Sequence, residues 1–268
     1  MITVGEAVVL GMVQGLTEFL PVSSSGHLAL VRRFMAPLSA DEARAVDLAL
    51  HAGTLLAVVA YFWRDIWGMV RAVGSPRRGG WRFRWIGLLL VATLPVGVAG
   101  LALRQWAGDG PPSLLGVGMC FLATGALLYL AAAVRGTLRE EETLTARDAI
   151  AIGCFQALAV LPGISRAGVT IAGGLFRQLR GDVAVRFAFL MSIPAVVGAK
   201  LSEVTSVVAV GAPAQIPLAW GVLASGVTGF AAIWLVFQAL RAQHLHYFAY
   251  YLWTLGALVV VGTGVFGL

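Results

Sequence analysis

The sequence predicts an all-α, polytopic integral membrane protein with six transmembrane helices and two re-entrant helix-loop-helix hairpins. Three observations predict this fold: an apolar composition, six apolar runs of spanning length, and two apolar segments interrupted by polar residues. Hydrophobic residues make up 59% of the 268 residues, charged residues only 12%, and the mean hydropathy is +0.86. A soluble chain of this length cannot bury so much apolar surface, so lipid must solvate it.

Six apolar runs are the expected spanning helices, because a hydrocarbon core about 30 Å thick requires about 20 apolar residues in helical form. They lie near residues 47–63, 85–103, 114–134, 184–201, 217–240 and 247–268. The N-terminus has no basic segment of the kind that opens a secretory signal peptide, since the first arginine is Arg32. We therefore expect the first apolar segment to be retained and the whole chain, 1–268, to form a single membrane domain.

Two further apolar segments, 5–35 and 149–176, are broken near their middles by "LPVSSSGH" and "LPGISRAG". Backbone that leaves helical geometry at membrane depth must be buried in protein or line a wet cavity. Each segment is therefore predicted to be a re-entrant hairpin whose tip lies inside the bilayer.

The arginines predict the orientation of the chain in the membrane. The loop 64–84 holds six arginines against a single acid, Asp65, and is predicted to be cytoplasmic. Counting the spans from this loop places the linker 135–148 on the same side. Because the arginines fall mostly between apolar runs, the net charge of +6 reflects topology, and no nucleic-acid partner is expected.

An internal repeat relates the two broken segments. "GMVQGLTEFLPVSSS" aligns with "GCFQALAVLPGISR" with one gap. The matched pairs include Gly11 and Gly153, Gln14 and Gln156, Pro21 and Pro162, and Ser24 and Ser165. The repeats are predicted at about 1–134 and 149–268, each with one hairpin followed by three spanning helices. An odd number of crossings inverts the second copy, and paired broken helices in inverted repeats place a polar site near the bilayer midplane.

The two breaks have the residues of an anion site. A proline followed by serine ends one helix and caps the next, so both breaks are predicted to aim helix N-termini, which favour phosphate, at the site. Arg166 adds a planar cation suited to bidentate phosphate contact. The predicted phosphate-binding residues are Arg166, Ser165, Ser24, Ser25, Gly163 and Thr170.

Glu18 indicates catalysis, because a carboxylate repels phosphate unless a metal ion bridges them or the carboxylate takes a proton. His27 follows Ser24 by three residues, so a helix starting at the serines places both on one face as a nucleophile and base pair. Two mechanisms remain open. Either Ser24 attacks the phosphorus after activation by His27, or Glu18, alone or with His27, activates a water.

At these residues the chain resembles the bacterial undecaprenyl-diphosphate phosphatases, also called bacitracin-resistance proteins. The family motifs E/Q-x-x-x-E, P-V-S-S-[ST]-G-H and P-G-x-S-R-[SA]-x-x-T stand here at 14–18, 21–27 and 162–170. The resemblance covers essentially the whole chain. It implies hydrolysis of undecaprenyl diphosphate to undecaprenyl phosphate and inorganic phosphate, which recycles the lipid carrier of peptidoglycan synthesis.

The resemblance also implies roles for individual residues. Glu18, His27, Ser24 and Arg166 would be catalytic. A divalent cation, Mg²⁺ or Ca²⁺, would be held by Glu18, with a weak or indirect contribution from Gln14, which stands at the first E/Q position of the motif and leaves one carboxylate fewer. The family implies location in the bacterial plasma membrane, with the active site facing the periplasm.

Three alternatives stay open at the level of the sequence. Inverted repeats with broken helices are also transporter architecture, so a polyprenyl-phosphate transporter or flippase is the alternative function. Such a carrier would not need Glu18 with His27 beside a phosphate site. The spacing of Gly11 and Gly15 permits close helix packing and suggests a possible homodimer. Asp47 and His51, one helical turn apart, line the site entrance or make a structural hydrogen bond.

Overall fold

Helices account for most of the residues that the computed structural model describes, which are 2–35, 37–104, 112–134, 139–210 and 215–266. Within these ranges there is no β-strand, and a single isolated β-bridge joins Arg139 to Leu179. The helices are α1 (Val4–Phe19), α2 (Ser24–Arg32), α3 (Ala40–Tyr61), α4 (Trp63–Gly74), α5 (Pro76–Arg104), α6 (Leu114–Ala132), α7 (Ala146–Leu158), α8 (Arg166–Phe176), α9 (Gly181–Val210), α10 (Gln215–Arg241) and α11 (Leu245–Phe266), with a short 3₁₀ helix at Glu141–Thr143.

Among the described residues, six helices contain stretches long and apolar enough to cross a membrane. These stretches are Asp41–Tyr61, Gly79–Leu103, Leu114–Ala132, Gly181–Lys200, Ile216–Arg241 and Leu245–Val265. They confirm the six predicted spans. The first begins earlier than predicted because Ser39 caps α3: its hydroxyl accepts from the backbone N–H of Glu42, whose carboxylate accepts from the backbone of Ser39.

The two broken segments are helix-break-helix hairpins, as predicted. Their helices α1, α2, α7 and α8 have 16, 9, 13 and 11 residues, each fewer than the about 20 that a span requires. The first helix ends at Phe19, and the next residue, Leu20, has the extended backbone (ψ 139°) that the following Pro21 favours.

The two halves of the chain pack reciprocally. Helix α1 of the first half lies chiefly against α10 of the second, α7 of the second half lies against α5 of the first, and α6 pairs with α11. The matched glycines permit the same close approach in each half. A Cβ at Gly11 would lie 2.5 Å from the carbonyl oxygen of Gly221, and one at Gly153 would lie 2.3 Å from that of Ala92. Inverted repeats are expected to pack in this way, although the limits 1–134 and 149–268 stay a prediction.

The glycines that suggested a homodimer are used inside one chain. Gly11 and Gly15 are both buried against α10, and a Cβ at Gly15 would lie 2.1 Å from Oγ1 of Thr228. Their spacing therefore explains packing within the chain and no longer supports a dimer. The homodimer itself stays a prediction.

The segment 64–84 is not the simple loop that the sequence analysis expected, since it contains most of α4 and the start of α5. One side of α4 exposes apolar side chains at helical spacing, namely Trp63, Trp67, Val70 and Val73. The guanidinium of Arg64 lies 5.5 Å from the ring centroid of Trp63, and that of Arg71 lies 5.2 Å from Trp67. An amphipathic helix with this pattern is typical of one that lies in the membrane interface.

A buried ion cluster anchors the second hairpin where α7 begins. The Asp148 carboxylate is fully buried and accepts hydrogen bonds from Nη2 of Arg139 at 2.8 Å, Nε of Arg177 at 2.7 Å and Oγ1 of Thr145 at 2.7 Å. Burial raises the pKa of Asp148, but the hydrogen bonds from Arg139, Thr145 and Arg177 outweigh burial and hold this pKa below its ordinary value. The cluster joins the linker residue Arg139 to both helices of the hairpin.

Candidate active site

The candidate site lies where the two breaks meet. Helix α2 begins after Ser23, whose hydroxyl accepts from the backbone N–H of Gly26 at 3.3 Å. Helix α8 begins after Ser165, whose hydroxyl accepts from the backbone N–H of Gly168 at 3.0 Å. The tips are joined directly, because the backbone N–H of Gly163 donates to Oγ of Ser25 at 3.2 Å. Two helix N-termini therefore start beside each other from opposite halves of the chain.

Each break contains a residue with left-handed backbone geometry. Gly163 has φ of 99°, and a Cβ there would lie 2.8 Å from Cβ of Cys120, so the position requires glycine. Ser23 has φ of 73°, which is uncommon for a residue other than glycine. Strained backbone of this kind clusters at functional sites.

Glu18 is the centre of the polar network in the first hairpin. Its side chain is only 9% exposed, and its Oε2 atom accepts a hydrogen bond from Oγ of Ser24 at 2.6 Å and another from Nε2 of Gln14 at 3.0 Å. Gln14 lies one helical turn before Glu18 on α1, so the two side chains share a face. The structure thus brings Gln14, Glu18 and Ser24 together.

Arg166 comes to Glu18 from the second hairpin. Its Nη1 atom lies 3.7 Å from Oε1 of Glu18, which makes an ion pair but is too long for a hydrogen bond. This nitrogen is buried and has no hydrogen-bond partner among the described residues. Because leaving a buried charged donor unpaired is costly, Nη1 is suited to an oxygen atom of a bound anion.

His27 does not pair with Ser24. Its Nδ1 atom lies 2.8 Å from the carbonyl oxygen of Ser23, and its Nε2 atom lies 2.7 Å from the hydroxyl of Tyr251 on α11. A carbonyl oxygen only accepts, so Nδ1 carries the hydrogen and Nε2 accepts from the tyrosine. The rings of His27 and Tyr251 also stack, with centroids 5.7 Å apart. In this arrangement, the hydroxyl of Ser24 is paired with Glu18 and both nitrogens of His27 are engaged elsewhere.

His51, whose role the sequence left open, lies in the site. Its Nδ1 atom lies 2.7 Å from the carbonyl oxygen of Asp47, while its Nε2 atom faces Oε2 of Glu18 at 4.0 Å. The Asp47 carboxylate forms an ion pair with Arg32 at the end of α2. The spacing of Asp47 and His51 was the available signal, but only the packing of α3 beside α1 reveals that the imidazole reaches Glu18.

The remaining predicted phosphate ligands have structural hydrogen bonds. The backbone N–H of Ser165 lies 3.4 Å from Oγ1 of Thr124 on α6, and the hydroxyl of Thr170 donates to the carbonyl oxygen of Arg166 at 2.8 Å. Ser165 and Thr170 are both buried. Their contact with phosphate, like that of Ser25 and Gly163, stays a prediction.

The residues around Glu18 offer few classical metal ligands. In the described part of the chain, no group of three or more His, Cys, Asp or Glu side chains is arranged to hold a metal ion. Glu18 and Gln14 do lie together, and Oε1 of Gln14 is a buried oxygen without a hydrogen-bond partner among these residues. Oxygen donors of these two kinds suit Mg²⁺ and Ca²⁺, so the pair fits a cation if further oxygen or nitrogen donors complete the set.

This arrangement suits phosphoryl transfer. That reaction depends mainly on positioning the reacting groups and stabilising charge on the phosphoryl oxygens. The Glu18 carboxylate can accept a proton from the hydroxyl of Ser24, and Nη1 of Arg166 has no hydrogen-bond partner among the described residues. Two helix N-termini lie beside both groups.

Comparison with known proteins gives one family over nearly the whole chain. Residues 7–258 match the family described as bacitracin resistance protein BacA. A protein from Alkaliphilus metalliredigens named undecaprenyl-diphosphatase is 39% identical over 97% of this chain and 98% of its own length. Another of that name, from Syntrophotalea carbinolica, is 38% identical over 94% of this chain and 96% of its own length. Undecaprenyl-diphosphatase 4 of Bacillus thuringiensis is 37% identical, with 95% of each chain covered.

Proposed function

We propose that this chain, which belongs to the bacitracin resistance protein BacA family, hydrolyses undecaprenyl diphosphate to undecaprenyl phosphate and inorganic phosphate. The observation that carries the proposal is the meeting of the Ser24–Glu18 hydrogen bond with the unpaired donor of Arg166. These groups supply a nucleophile, a base and a phosphate ligand within one buried site. Relatives named for this activity support the proposal.

In the proposed mechanism, Ser24 is the nucleophile and Glu18 is its base. The serine oxygen forms a bond to the terminal phosphorus, the bridging P–O bond breaks, and undecaprenyl phosphate leaves while Glu18 holds the serine proton. That proton passes to the leaving phosphate or to water. A water then attacks the phosphorus of the phosphoserine and gives a proton to Glu18 while the bond between phosphorus and the serine oxygen breaks. Glu18 passes this proton to the serine oxygen, which restores Ser24 and the Glu18 carboxylate and releases inorganic phosphate. The 2.6 Å hydrogen bond between Ser24 and Glu18 favours this route over His27 as the base.

A divalent cation, Mg²⁺ or Ca²⁺, belongs to the proposal. Glu18 and Gln14 would hold it, and its charge would offset the repulsion between the Glu18 carboxylate and the diphosphate. Arg166 and the N-termini of α2 and α8 would bind the phosphoryl oxygens from the other side. His27, fixed between Ser23 and Tyr251, would position the start of α2.

The proposed location is the bacterial plasma membrane, with the site open to the periplasm. The six apolar helices support a multi-pass membrane protein. The basic segment 64–84 supports a cytoplasmic position for that end of the molecule, because positively charged loops stay inside.

The test is phosphate release from undecaprenyl or farnesyl diphosphate by the detergent-solubilised protein, with and without a chelator. We expect chelator-sensitive release by the parent and loss of release in Glu18→Gln and Arg166→Ala. Glu6→Gln is the matched control, because Glu6 lies on the same helix but only caps its exposed N-terminus.

Two outcomes would contradict the proposal. Release that persists in both Glu18→Gln and Arg166→Ala would place the chemistry elsewhere. Binding of the lipid without release by the parent would instead favour the transporter alternative, which would then be tested by lipid movement across a reconstituted bilayer. Trapping of ³²P on Ser24 during turnover would distinguish the serine route from direct attack by water.

A further inference from the structure

His51 directs its Nε2 atom toward Glu18. A carbonyl oxygen cannot donate, so the 2.7 Å contact with the Asp47 carbonyl places the imidazole hydrogen on Nδ1 when the ring is neutral. The Nε2 atom then carries a lone pair, and this lone pair faces Oε2 of Glu18 at 4.0 Å. Both side chains are largely buried, with 16% of His51 and 9% of Glu18 exposed. Two electron-rich atoms therefore face each other inside the protein.

This separation fits a cation between the two atoms. A gap of 4.0 Å is too long for a direct hydrogen bond, but it is close to twice the distance of about 2.0–2.1 Å at which Mg²⁺ binds its ligands. A positive ion between a lone pair and a carboxylate oxygen would remove the unfavourable contact. Burial strengthens this effect, since charge interactions are less screened away from water.

Gln14 supplies an additional donor beside these two. Its side chain is fully buried, and its Nε2 group is fixed by donation to Glu18, yet its Oε1 atom has no partner among the described residues. Amide oxygens are normal ligands of divalent cations. The hydroxyl oxygen of Ser24, also at Glu18, can accept as well as donate and can therefore join the set.

Contacts of Asp47 fix the position of the His51 ring. Arg32 at the end of α2 forms an ion pair with the Asp47 side chain, while the backbone of Asp47 holds Nδ1 of His51. A histidine that binds a metal through one ring nitrogen usually donates a hydrogen bond from the other nitrogen to a carbonyl or carboxylate oxygen, and this bond fixes the orientation of the ring. The contact with Asp47 therefore orients the imidazole as a ligand.

We propose that His51 is a nitrogen ligand of the divalent cation held by Glu18 and Gln14, and that it shifts the selectivity of this site from Mg²⁺ and Ca²⁺ toward Mn²⁺. The inference deepens the proposed phosphatase function and rests on its cation site. Imidazole nitrogen suits transition-metal ions better than Mg²⁺ or Ca²⁺, which prefer an all-oxygen set. A site of only carboxylate and amide oxygens would lack this selectivity.

The test is a titration of Mn²⁺ into the metal-stripped, full-length protein in detergent, followed by the loss of the electron paramagnetic resonance signal of free Mn²⁺. We expect the parent to bind one Mn²⁺ and His51→Ala to bind it at least about tenfold more weakly. In competition, Mg²⁺ should displace Mn²⁺ from His51→Ala at an about tenfold lower concentration than from the parent. His244→Ala, which changes an exposed histidine between α10 and α11, should bind like the parent.

A second variant keeps the test decisive if His51→Ala does not fold. His51→Gln replaces the nitrogen donor with an amide, so it should retain Mg²⁺ binding and lose the preference for Mn²⁺. Equal Mn²⁺ affinity in the parent and in the folded His51 variants would overturn the inference. Phosphate release by a parent that binds no divalent cation would overturn it as well, while leaving the phosphatase function intact. Cation binding of the expected kind without phosphate release would contradict only the proposed function.

Discussion

The two hairpins have the same construction but place their acidic residues at opposite ends. Both α1 and α7 begin with a capping box, formed by Thr3 with Glu6 in the first and by Thr145 with Asp148 in the second. Glu6 is partly exposed and, among the described residues, bonds to Thr3, whereas Asp148 is buried and binds two arginines. Within the described part of the chain, an ion cluster therefore anchors the start of the second hairpin but not that of the first.

At the other end of these helices, near the breaks, the first hairpin has the buried acid and the second does not. Helix α1 ends beside a buried carboxylate, Glu18, while the matching end of the second hairpin is apolar at Ala159 and Val160 and contributes its cation, Arg166, only after the break. A repeated backbone therefore need not carry repeated chemistry. Each half supplies one charge to the proposed phosphate site, Glu18 from the first and Arg166 from the second.

The largest effects should come from the two buried acids, and they should differ in kind. Glu18→Gln should lower kcat/KM about 10²–10⁴-fold with little change in unfolding, because it removes a base. Asp148→Asn should lower the free energy of unfolding by about 2–3 kcal/mol, because it leaves two partly exposed arginines without their carboxylate. Thermal unfolding in detergent and phosphate release, measured on both variants, check the contrast.

The contrast between the acids would fail if their effects were exchanged. A Glu18→Gln protein that unfolds much more easily, with turnover per folded molecule unchanged, would make Glu18 a structural residue. A fully stable but inactive Asp148→Asn protein would give the anchor a catalytic role that its contacts do not suggest.

The matched serines should give an intermediate effect. Ser24→Ala should abolish most turnover at nearly unchanged stability, because its hydroxyl donates to Glu18 rather than capping a helix. Ser165→Ala should lower the free energy of unfolding by about 1 kcal/mol, the typical value of an N-cap, and should affect kcat much less. Equal losses of turnover in both variants would show that the second break also takes part in the chemistry.

The matched glutamines should give the smallest effect. Both amide atoms of Gln156 are buried and lack hydrogen-bond partners in the described chain, so Gln156→Leu should raise the free energy of unfolding by about 1–2 kcal/mol. Gln14→Leu removes the donor to Glu18 and should lower kcat/KM about tenfold. A loss of stability in Gln156→Leu would instead indicate that its amide is bound to water or to a ligand.

Much of the fold could be predicted from the sequence because the membrane imposes strong rules. Length and apolarity identify the six spans, and Pro21 and Pro162 locate both breaks. Helix α4 was not predicted, because the arginines of this segment indicated a cytoplasmic loop. Trp63 and Trp67 already had the spacing of a helix. A short interfacial helix leaves a weaker signal than a span, since only one side of it is apolar.

The charged partners in the site could be predicted, but the role of each hydroxyl could not. Glu18 and Arg166 are conspicuous because charge at membrane depth is costly and requires a reason. By contrast, the hydrogen bonds of Ser165, Thr170 and His27 depend on helix caps and on neighbours such as Thr124 and Tyr251 that are distant in sequence. Which side chains reach one another across helices is decided by tertiary packing.

The hydrogen bond between Ser25 and Gly163 joins residues 138 positions apart, and this separation has a consequence for biogenesis. The ribosome delivers the first hairpin to the membrane long before it delivers the second. Until α8 arrives, Glu18 has neither its arginine nor the second break beside it. We therefore expect the nascent first hairpin to remain shallow and water-accessible, and to reach its final depth only when the second half is inserted. If the proposed site is correct, we expect a chain interrupted before α8 to hold every residue of the PVSSSGH motif and still to bind no phosphate.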